Sequence, residues 1–444
     1  MRGTGGCAHT SGVGGVVKGA GAPVCGSVPQ LMEPAEELEL LRRFRRDLHR
    51  IPELDRDVPR TLAYIERVLA GLACEVAHPC PGCVCAHFDL GRTDCVAIRA
   101  DIDALPIAEQ TGCSFASEHP GRMHACGHDA HMAMALTCAV WVDRALRERP
   151  ELLAHNVLFV FQPAEETTGG ARSVCESGVF ARYGARAVFG FHVWPDLPAG
   201  IVASRPGALL ARSSETHVRI FGRSLHIAKT LGLSDTELAD AGLAAARFAA
   251  GTRELMGRLA QDEPCICMFG QLRAGTVCNA VAGRAELAGS LRVFSEAMFD
   301  RARAELRALL DEVCAACGCT GEISFAEGYP AVANDDKLFA RAEAALSGLA
   351  RVEQPLLIAE DFSFYQRHLP GVFFLLGVGE PAVGTADGPG CGRGLLVDAG
   401  VEGADADADF LGYARSGLHT STLMFDERIL SVGVATYRRL LMGL

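Results

Sequence analysis

The chain has 444 residues, long enough for two domains, and its 49% hydrophobic and 22% charged content is ordinary for a globular protein. The formal net charge of -12 argues against a general nucleic-acid binder and against attraction to a membrane surface, and no apolar run is long enough to span a bilayer. The eighteen cysteines are scattered through apolar surroundings, which favours reduced thiols in a cytoplasmic protein over a disulfide scaffold.

The first predicted elements follow a glycine-rich N-terminal segment. Residues 1–34 have no apolar signal-peptide core, so we predict a disordered extension there. Residues 36–72 have helical periodicity, which Pro52 interrupts. Cys80-Pro81-Gly82-Cys83 is a C-x-x-C pattern, for which a redox or zinc role is conceivable. No second C-x-x-C lies nearby to complete a zinc site, which favours a hairpin turn with incidental thiols.

Polar residues follow three predicted strands, at the point where each strand ends. The strands cover 95–100, 156–161 and 187–191, and helical patterns lie between them, which predicts a mostly parallel α/β sheet. The residues at or just beyond these ends are Asp101, Asp103, Glu165, Glu166 and His192. Ligands gather beyond the carboxyl ends of parallel strands, so this edge is the predicted functional site.

A second domain interrupts the α/β pattern. Residues 205–326 follow the order β-α-β-β-α-β, which predicts an inserted α+β domain of the ferredoxin-like type. The catalytic α/β domain then comprises 35–204 and 327–444. Within its second part, residues 380–416 are rich in Gly, Ala and Asp, and we predict a flexible loop there.

A cluster of metal-binding side chains occupies residues 123–131, which hold three imidazoles, a thiol and a carboxylate. The proposed ligands from this cluster and from the rest of the chain are Cys126, His128, Glu166, His192 and His419. Cys126 and His128 cannot face each other on a regular helix, so they require a turn or an extended segment. Five ligands exceed one tetrahedral structural site, so we predict two adjacent divalent ions, with the Cys126 thiolate as a bridge.

The adjacent acids Glu165 and Glu166 would point in opposite directions if the backbone is extended. One would then bind metal, while the other would act as general base for a metal-bound water. Asp101 or Asp103 could accept a hydrogen bond from the ring nitrogen of a ligand histidine that does not bind metal, and so orient the imidazole. Taken singly, each residue also fits an ordinary structural role, such as a core histidine, a solvated helix start or a helix N-cap at Asp103.

Seven sequence motifs occur in a characteristic order along the chain. They are RRDLHRIPE at 45–53, RADIDALP at 99–106, MHACGHDAH at 123–131, QPAEE at 162–166, HVWP at 192–195, AEDFS at 359–363 and LH at 418–419. In this order the chain resembles the aminoacylase-like metallo-amidohydrolases, which include hippurate hydrolases and indole-acetyl-amino-acid hydrolases. The resemblance extends from about residue 36 to the C-terminus.

The resemblance implies a dinuclear metal site, with zinc as the first choice and manganese or cobalt as alternatives, in a cytoplasmic homodimer that associates through its lid domain. It implies hydrolysis of a small N-acyl amino acid or a related amide. By position, it assigns the five ligands named above to metal and Glu165 to the general base. His226 matches a lid histidine that polarises the scissile carbonyl, often from the partner subunit, while Asn279 and Arg292 match lid positions linked to substrate binding.

Two departures from the family pattern leave other functions open. The lid motif at 222–228 reads GRSLHIA, where the family usually has glycines and alanines around the histidine, and the loop 380–416 is unusually long. One alternative is therefore a lid-altered relative that binds a ligand or partner without turnover. Another is a cysteine hydrolase with Cys126 as nucleophile and His128 as base, although residues so close in sequence give that pair poor geometry.

Overall fold

A computed structural model describes residues 17–18, 31–380 and 412–444 of the chain. Most of the predicted extension 1–34 and of the predicted flexible loop 380–416 lies outside these residues, so the structure does not test either prediction. The chain divides into two compact units. Unit 1 comprises Met1–Gly207, Asn334–Gln354 and Phe364–Leu444, and unit 2 comprises Ala208–Ala333 and Pro355–Ser363.

Fifteen strands and ten α-helices form the described part of the chain. The strands are β1 Val17–Lys18, β2 Glu75–Ala77, β3 Val84–Phe88, β4 Cys95–Asp101, β5 Asn156–Gln162, β6 Ala185–Pro198, β7 Val202–Ser204, β8 Gly207–Leu210, β9 Arg212–Phe221, β10 Ile266–Ala274, β11 Arg284–Val293, β12 Thr320–Phe325, β13 Val332–Asn334, β14 Ala350–Val352 and β15 Gly371–Gly379. The helices are α1 Pro34–His49, α2 Pro59–Leu69, α3 His128–Glu148, α4 Gly170–Glu176, α5 Val179–Arg182, α6 Asp235–Leu238, α7 Ala241–Leu259, α8 Glu296–Ala316, α9 Asp336–Ala345 and α10 Leu430–Gly443.

Unit 1 is built on a nine-stranded sheet in the order β1-β14-β7-β15-β6-β4-β5-β3-β2. Its centre, from β15 through β6 and β4 to β5, is parallel. Strand β3 runs antiparallel to β5 and β2 runs antiparallel to β3, while β7 runs antiparallel to β15 on the other side. The predicted mostly parallel α/β sheet is confirmed at this centre, and the antiparallel pairs lie toward the edges. Every residue of β4, β5 and β15 is buried, as expected for strands covered on both faces.

Helix α3 is the most deeply buried helix of unit 1, with sixteen buried residues. It packs against α1 and α10 as well as against β4, and Trp141 on it is fully buried. On the sheet, the rings of Phe191 and Phe374 stack with centroids 5.2 Å apart, and Tyr437 of α10 meets Phe191 edge-on at 5.0 Å. These contacts hold α10 against the sheet, and the burial of α3 places it in the core of unit 1.

Unit 2 contains a four-stranded antiparallel sheet in the order β10-β11-β9-β12. Its elements follow the order β9-α7-β10-β11-α8-β12, interrupted only by short turns of helix. Along β9 buried and exposed residues alternate, so one face of the sheet packs on the helices and the other faces solvent. The core between sheet and helices includes Phe248, Leu291 and Leu306.

One predicted helix of unit 2 begins later than expected. The periodicity from 238 to 259 predicts a helix over that range, but α7 spans Ala241–Leu259, because the short helix α6 ends at Leu238 and Ala239 adopts a left-handed backbone with φ 50°. Asp240 then caps α7, because its side chain accepts hydrogen bonds from the amides of Gly242 and Leu243. Apolar spacing alone does not reveal such a break.

Within the described residues, no helix combines the length and the apolar composition needed to cross a membrane.

Candidate metal centre

Cys126 and His128 lie on either side of a left-handed glycine at the start of α3. Gly127 has φ 87°, and a Cβ atom there would overlap Cγ2 of Val193 on β6. Glycine is the residue that tolerates both this backbone conformation and this close approach. Because of this turn, Cys126 lies in the loop before Gly127, while His128 is the first residue of α3. The thiol and the imidazole can therefore share one site, as the spacing predicts.

Two imidazoles have their Nε2 atoms available for a metal. Nδ1 of His128 donates to the main-chain carbonyl of Asp103 at 2.7 Å, and Nδ1 of His192 donates to the carbonyl of Val193 at 2.6 Å. Because each Nδ1 is used as a donor, the neutral ring has its lone pair on Nε2. Nε2 of His192 lies 3.2 Å from Sγ of Cys126.

Glu165 and Glu166 lie in a turn after β5, not in the extended conformation considered above. The Asp103 carboxylate accepts both of their amides, at 3.0 Å from Glu165 and 3.1 Å from Glu166. Both glutamates and His128 offer one ligand atom each to a group within 4.8 Å. The pair is thus directed toward one site, and Asp103 supports it through main-chain contacts.

His419 approaches the same site from the C-terminal part of unit 1. Its backbone is left-handed with φ 60°, and its amide donates to the carbonyl of Ala125 at 2.8 Å. Its Nε2 lies 3.2 Å from Oε1 of Glu166. The donor atoms of Cys126, Glu166 and His419 form a group within 4.8 Å, and those of Cys126, His128 and His192 form another. Cys126 belongs to both groups.

The donor atoms suit a pair of divalent ions. Nε2 of His128 is buried and makes no hydrogen bond within the described residues. A buried polar atom without a hydrogen bond costs free energy, and a coordinated cation would satisfy this nitrogen. Thiolate, imidazole and carboxylate together match borderline ions such as zinc. Two groups that share one thiol fit two ions bridged by Cys126.

The pKa values of Asp101 and of the Cys126 thiol are shifted in opposite directions. Burial raises the pKa of Asp101, but Arg99, His128 and His131 outweigh it and hold the pKa well below its usual range. Burial and the charges of Glu166 and Glu165 raise the pKa of the Cys126 thiol well above its usual range. Without a bound cation, Cys126 is therefore protonated, and thiolate ligation requires the positive charge of a metal.

Asp101 is predicted to orient a ligand imidazole, but in the structure its hydrogen-bonded imidazole is His131, which is not among the proposed ligands. Its Oδ1 lies 2.6 Å from Nδ1 of His131, and Arg99 donates to its Oδ2 at 2.8 Å. Nε2 of His131 in turn accepts the amide of Val193 at 2.9 Å, next to His192. This chain of contacts connects α3 to β6. The spacing of His128 and His131, three residues apart on one helix face, was the signal for it.

A second buried network joins α1 to the start of α3. The carboxylate of Asp129 accepts from Nδ1 of His49 at 2.8 Å and from Nε of Arg45 at 3.3 Å. Nε2 of His49 lies 3.3 Å from Glu109. Burial lowers the pKa of His49, but the charges of Asp129 and Glu109 outweigh it and raise the pKa to about 9. Both residues of α1 belong to the RRDLHRIPE motif, whose role the sequence alone left unexplained.

The predicted lid residues all lie in unit 2. His226 is exposed, and its Nδ1 accepts the amide of Ala228 at 3.1 Å. Asn279 lies beside it, because the amide of Ile227 donates to the Asn279 carbonyl at 3.1 Å. Arg292 is half-buried on β11 and donates to Ser290 Oγ at 3.1 Å.

Known proteins resemble this chain over most of its length. Residues 97–390 match the family model described as peptidase family M20/M25/M40. An uncharacterized hydrolase of Staphylococcus epidermidis is 33% identical over 418 residues, which cover 91% of this chain and 98% of the relative. An N-acetyldiaminopimelate deacetylase of Exiguobacterium sibiricum is 33% identical over 353 residues, which cover 78% of this chain and 92% of the relative.

A solved structure agrees with these sequence relatives. The Bacillus subtilis protein YXEP, described as a dinuclear metal-binding peptidase from the M20 family, superposes with a TM-score of 0.72 at 28% identity. The superposition covers 91% of this chain and 98% of that protein. The family match, the relatives and the two overlapping groups of metal-binding donors agree. The chain belongs to the peptidase family M20/M25/M40 and is a metal-binding hydrolase of that family.

Proposed function

We propose that this protein is a dinuclear metal-dependent amidohydrolase that cleaves the amide bond of a small N-acyl amino acid or a related amide. The observation that carries the proposal is the pair of donor groups that share Cys126, with two histidine Nε2 atoms directed at them. Membership of a hydrolase family and similarity to N-acetyldiaminopimelate deacetylases support the amide class. Zinc is the first choice of metal, with manganese or cobalt as alternatives.

The proposed ligands are Cys126, His128, Glu166, His192 and His419. When bound, two divalent ions would supply Lewis-acid polarisation and lower the pKa of water. Glu165 is the proposed general base, because its carboxylate is buried beside the ligands and its amide is held by Asp103. It accepts a proton from the attacking water and can pass that proton to the leaving amine.

Unit 2 is the proposed lid, a ferredoxin-like domain inserted in the catalytic chain. Because Nδ1 of His226 accepts a backbone amide, its neutral ring has the proton on Nε2, which is available to donate to a substrate carbonyl. Asn279 and Arg292 are the proposed substrate-binding residues of this domain. The edge strand β10 exposes Met268 and Leu272, which suits association of two lids in a cytoplasmic homodimer.

Glu165 provides the sharpest test of the proposed hydrolysis, because its neighbour Glu166 serves as a matched control. Glu165→Gln should keep the metal but lower turnover of the best substrate from an N-acyl amino acid panel by roughly 10²–10⁴-fold, since it removes the general base. Glu166→Gln should instead lose metal, and added metal should partly restore its rate. Turnover and metal stoichiometry are measured for both under saturating metal.

The outcomes separate the competing functions. If Glu165→Gln loses metal and Glu166→Gln loses only rate, the two roles are exchanged. If both variants remain active, the amidohydrolase proposal is wrong. The changed lid motif at 222–228 supports a second candidate, a relative that binds ligand without turnover, and metal binding without hydrolysis of any panel member would favour it. A cysteine hydrolase would keep its activity under chelation, but burial raises the pKa of its proposed nucleophile Cys126.

A further inference from the structure

The C-x-x-C pattern forms a tight turn immediately before β3. The amide of Cys83 donates to the carbonyl of Cys80 at 3.1 Å, which closes a four-residue turn. Pro81 occupies the second position, and Gly82 has φ 78° at the third, as a type II turn requires. Such a turn holds its first and fourth Cα atoms within about 7 Å. Disulfides span Cα separations of roughly 4.4–6.8 Å, so the turn suits a disulfide between its ends.

The two thiols differ in access and in environment. Cys80 is half-buried next to the exposed Pro81, whereas Cys83 is buried. The neighbouring Cys83 thiol and the positive charge of Arg56 lower the pKa of Cys80. Burial raises the pKa of Cys83 well above its usual range. Cys80 is thus the more accessible and more easily ionised thiol, and Cys83 is placed to act as the resolving thiol.

We propose that Cys80 and Cys83 are a reversible dithiol–disulfide pair that exchanges with low-molecular-weight disulfides, with Cys80 as the attacking thiol. The Cys80 thiolate attacks one sulfur of the external disulfide, forms a mixed disulfide and releases one thiolate. Cys83 then loses its proton and attacks the Cys80 sulfur, which forms the internal disulfide and releases the second thiolate. The protein loses two electrons and two protons, and the external disulfide becomes two thiols.

The turn lies directly beside the segment that leads to the proposed catalytic glutamates. A Cβ atom at Gly82 would lie 2.8 Å from the Arg56 carbonyl oxygen and 3.1 Å from the Pro163 ring. Pro163 stands two residues before Glu165, and Val84, next to Cys83, pairs with Phe161 near the end of β5. The dithiol pair therefore sits where the chain leaves the sheet for the metal centre. This inference rests on the turn and its thiols, and it remains valid if the proposed hydrolysis is wrong.

The experiment equilibrates the full-length protein in mixtures of reduced and oxidised glutathione, followed by acid quenching, alkylation and peptide mass spectrometry. We expect Cys80 and Cys83 to lose alkylation together as the oxidised fraction rises, and to regain it with excess reduced glutathione. Cys278, which is free and exposed, serves as an internal control for modification of an accessible thiol. Modification of Cys278 while Cys80 and Cys83 remain fully alkylated would overturn the proposal.

Three variants assign the direction of attack. Cys83→Ser should accumulate a glutathione adduct on Cys80, because the second step is removed. Cys80→Ser should leave Cys83 unmodified, because the buried thiol cannot begin the exchange. Cys85→Ser is the matched control and should still form the internal disulfide. A glutathione adduct on Cys83 in Cys80→Ser, or loss of the internal disulfide in Cys85→Ser, would contradict the assignment, and the wild-type measurement stands even if a variant fails to fold.

Discussion

At the residue scale, the hydrogen bond that each histidine makes through Nδ1 decides which ring nitrogen carries the proton. His128 and His192 both use Nδ1 to donate to main-chain carbonyls, which leaves the lone pair of each neutral ring on Nε2, and Nε2 of His192 lies 3.2 Å from Cys126 Sγ. His226, in unit 2, uses Nδ1 as an acceptor and so has its proton on Nε2. The same side chain is thus prepared for metal ligation in one unit and for hydrogen-bond donation in the other.

Cys126→Ala should lower the metal content toward one ion per chain or less, because the thiol belongs to both donor groups. Cys138→Ala is the matched control, since it removes another buried thiol, which lies on α3 about three turns after His128. Elemental analysis of the purified variants measures the difference. Full metal occupancy in Cys126→Ala would show that the thiol is not a bridge.

His226→Ala should lower turnover with little change in metal content. A donor that polarises a carbonyl acts mainly in the transition state, and its removal typically costs roughly 10²–10³-fold in kcat. The control is His217→Ala, which removes another exposed histidine from the same unit. Steady-state kinetics and metal analysis are compared for the two variants. Equal rates in both would mean that the changed lid motif has lost this function.

At the element scale, the start of α3 is a tightly constrained point of unit 1. Gly127 must adopt a left-handed backbone against Val193, so that α3 and β6 approach each other where their proposed ligands meet. Elsewhere the element boundaries follow local chemistry that apolar spacing does not report. The Asp240 cap and the left-handed Ala239 delay the start of α7 relative to the predicted helix.

Gly127→Ala should destabilise the protein by more than the roughly 1–2 kcal/mol expected for left-handed backbone strain alone, because the new methyl overlaps Val193. Gly121→Ala isolates the strain, since Gly121 has φ 77° with no atom within 4 Å of an added Cβ. Urea unfolding of both variants gives the difference. The double variant Gly127→Ala/Val193→Ala should recover part of the loss, and equal destabilisation by the two alanines would rule out the overlap.

At the scale of the whole molecule, much of the architecture was predictable from sequence, because it depends on periodicity and on strand ends. The α/β sheet follows from buried runs, and Glu166 lies beyond the end of β5 as predicted, whereas β6 continues past His192 to Pro198. The support given by Asp103 to two amides was not predictable, because it depends on which main-chain groups come together in three dimensions. The path from Arg99 through Asp101 to His131 was indicated only by the helical spacing of His128 and His131, since its contacts depend on how side chains of β4 and α3 pack.

The His49 network should make global stability depend on pH. The pKa of His49 is about 9 in the folded chain and 6.5 without its partners. The stabilisation from its charged form is therefore complete below pH 6.5, and it is lost as the pH rises through about 9, by on the order of 1–3 kcal/mol. Urea unfolding from pH 6 to 10 should show this decline in the wild type but not in His49→Gln. Parallel curves for the two proteins would contradict the assignment.

The proposed ligands are divided by unit 2 in the order of synthesis. Cys126 precedes unit 2 in the sequence and His419 follows it, so the whole of unit 2 is translated between them. Domains generally fold as the chain emerges, N-terminal parts first. The proposed ligand set is therefore incomplete in the nascent chain until unit 2 has been synthesised, and the two proposed ions cannot both be held with all five ligands before that point.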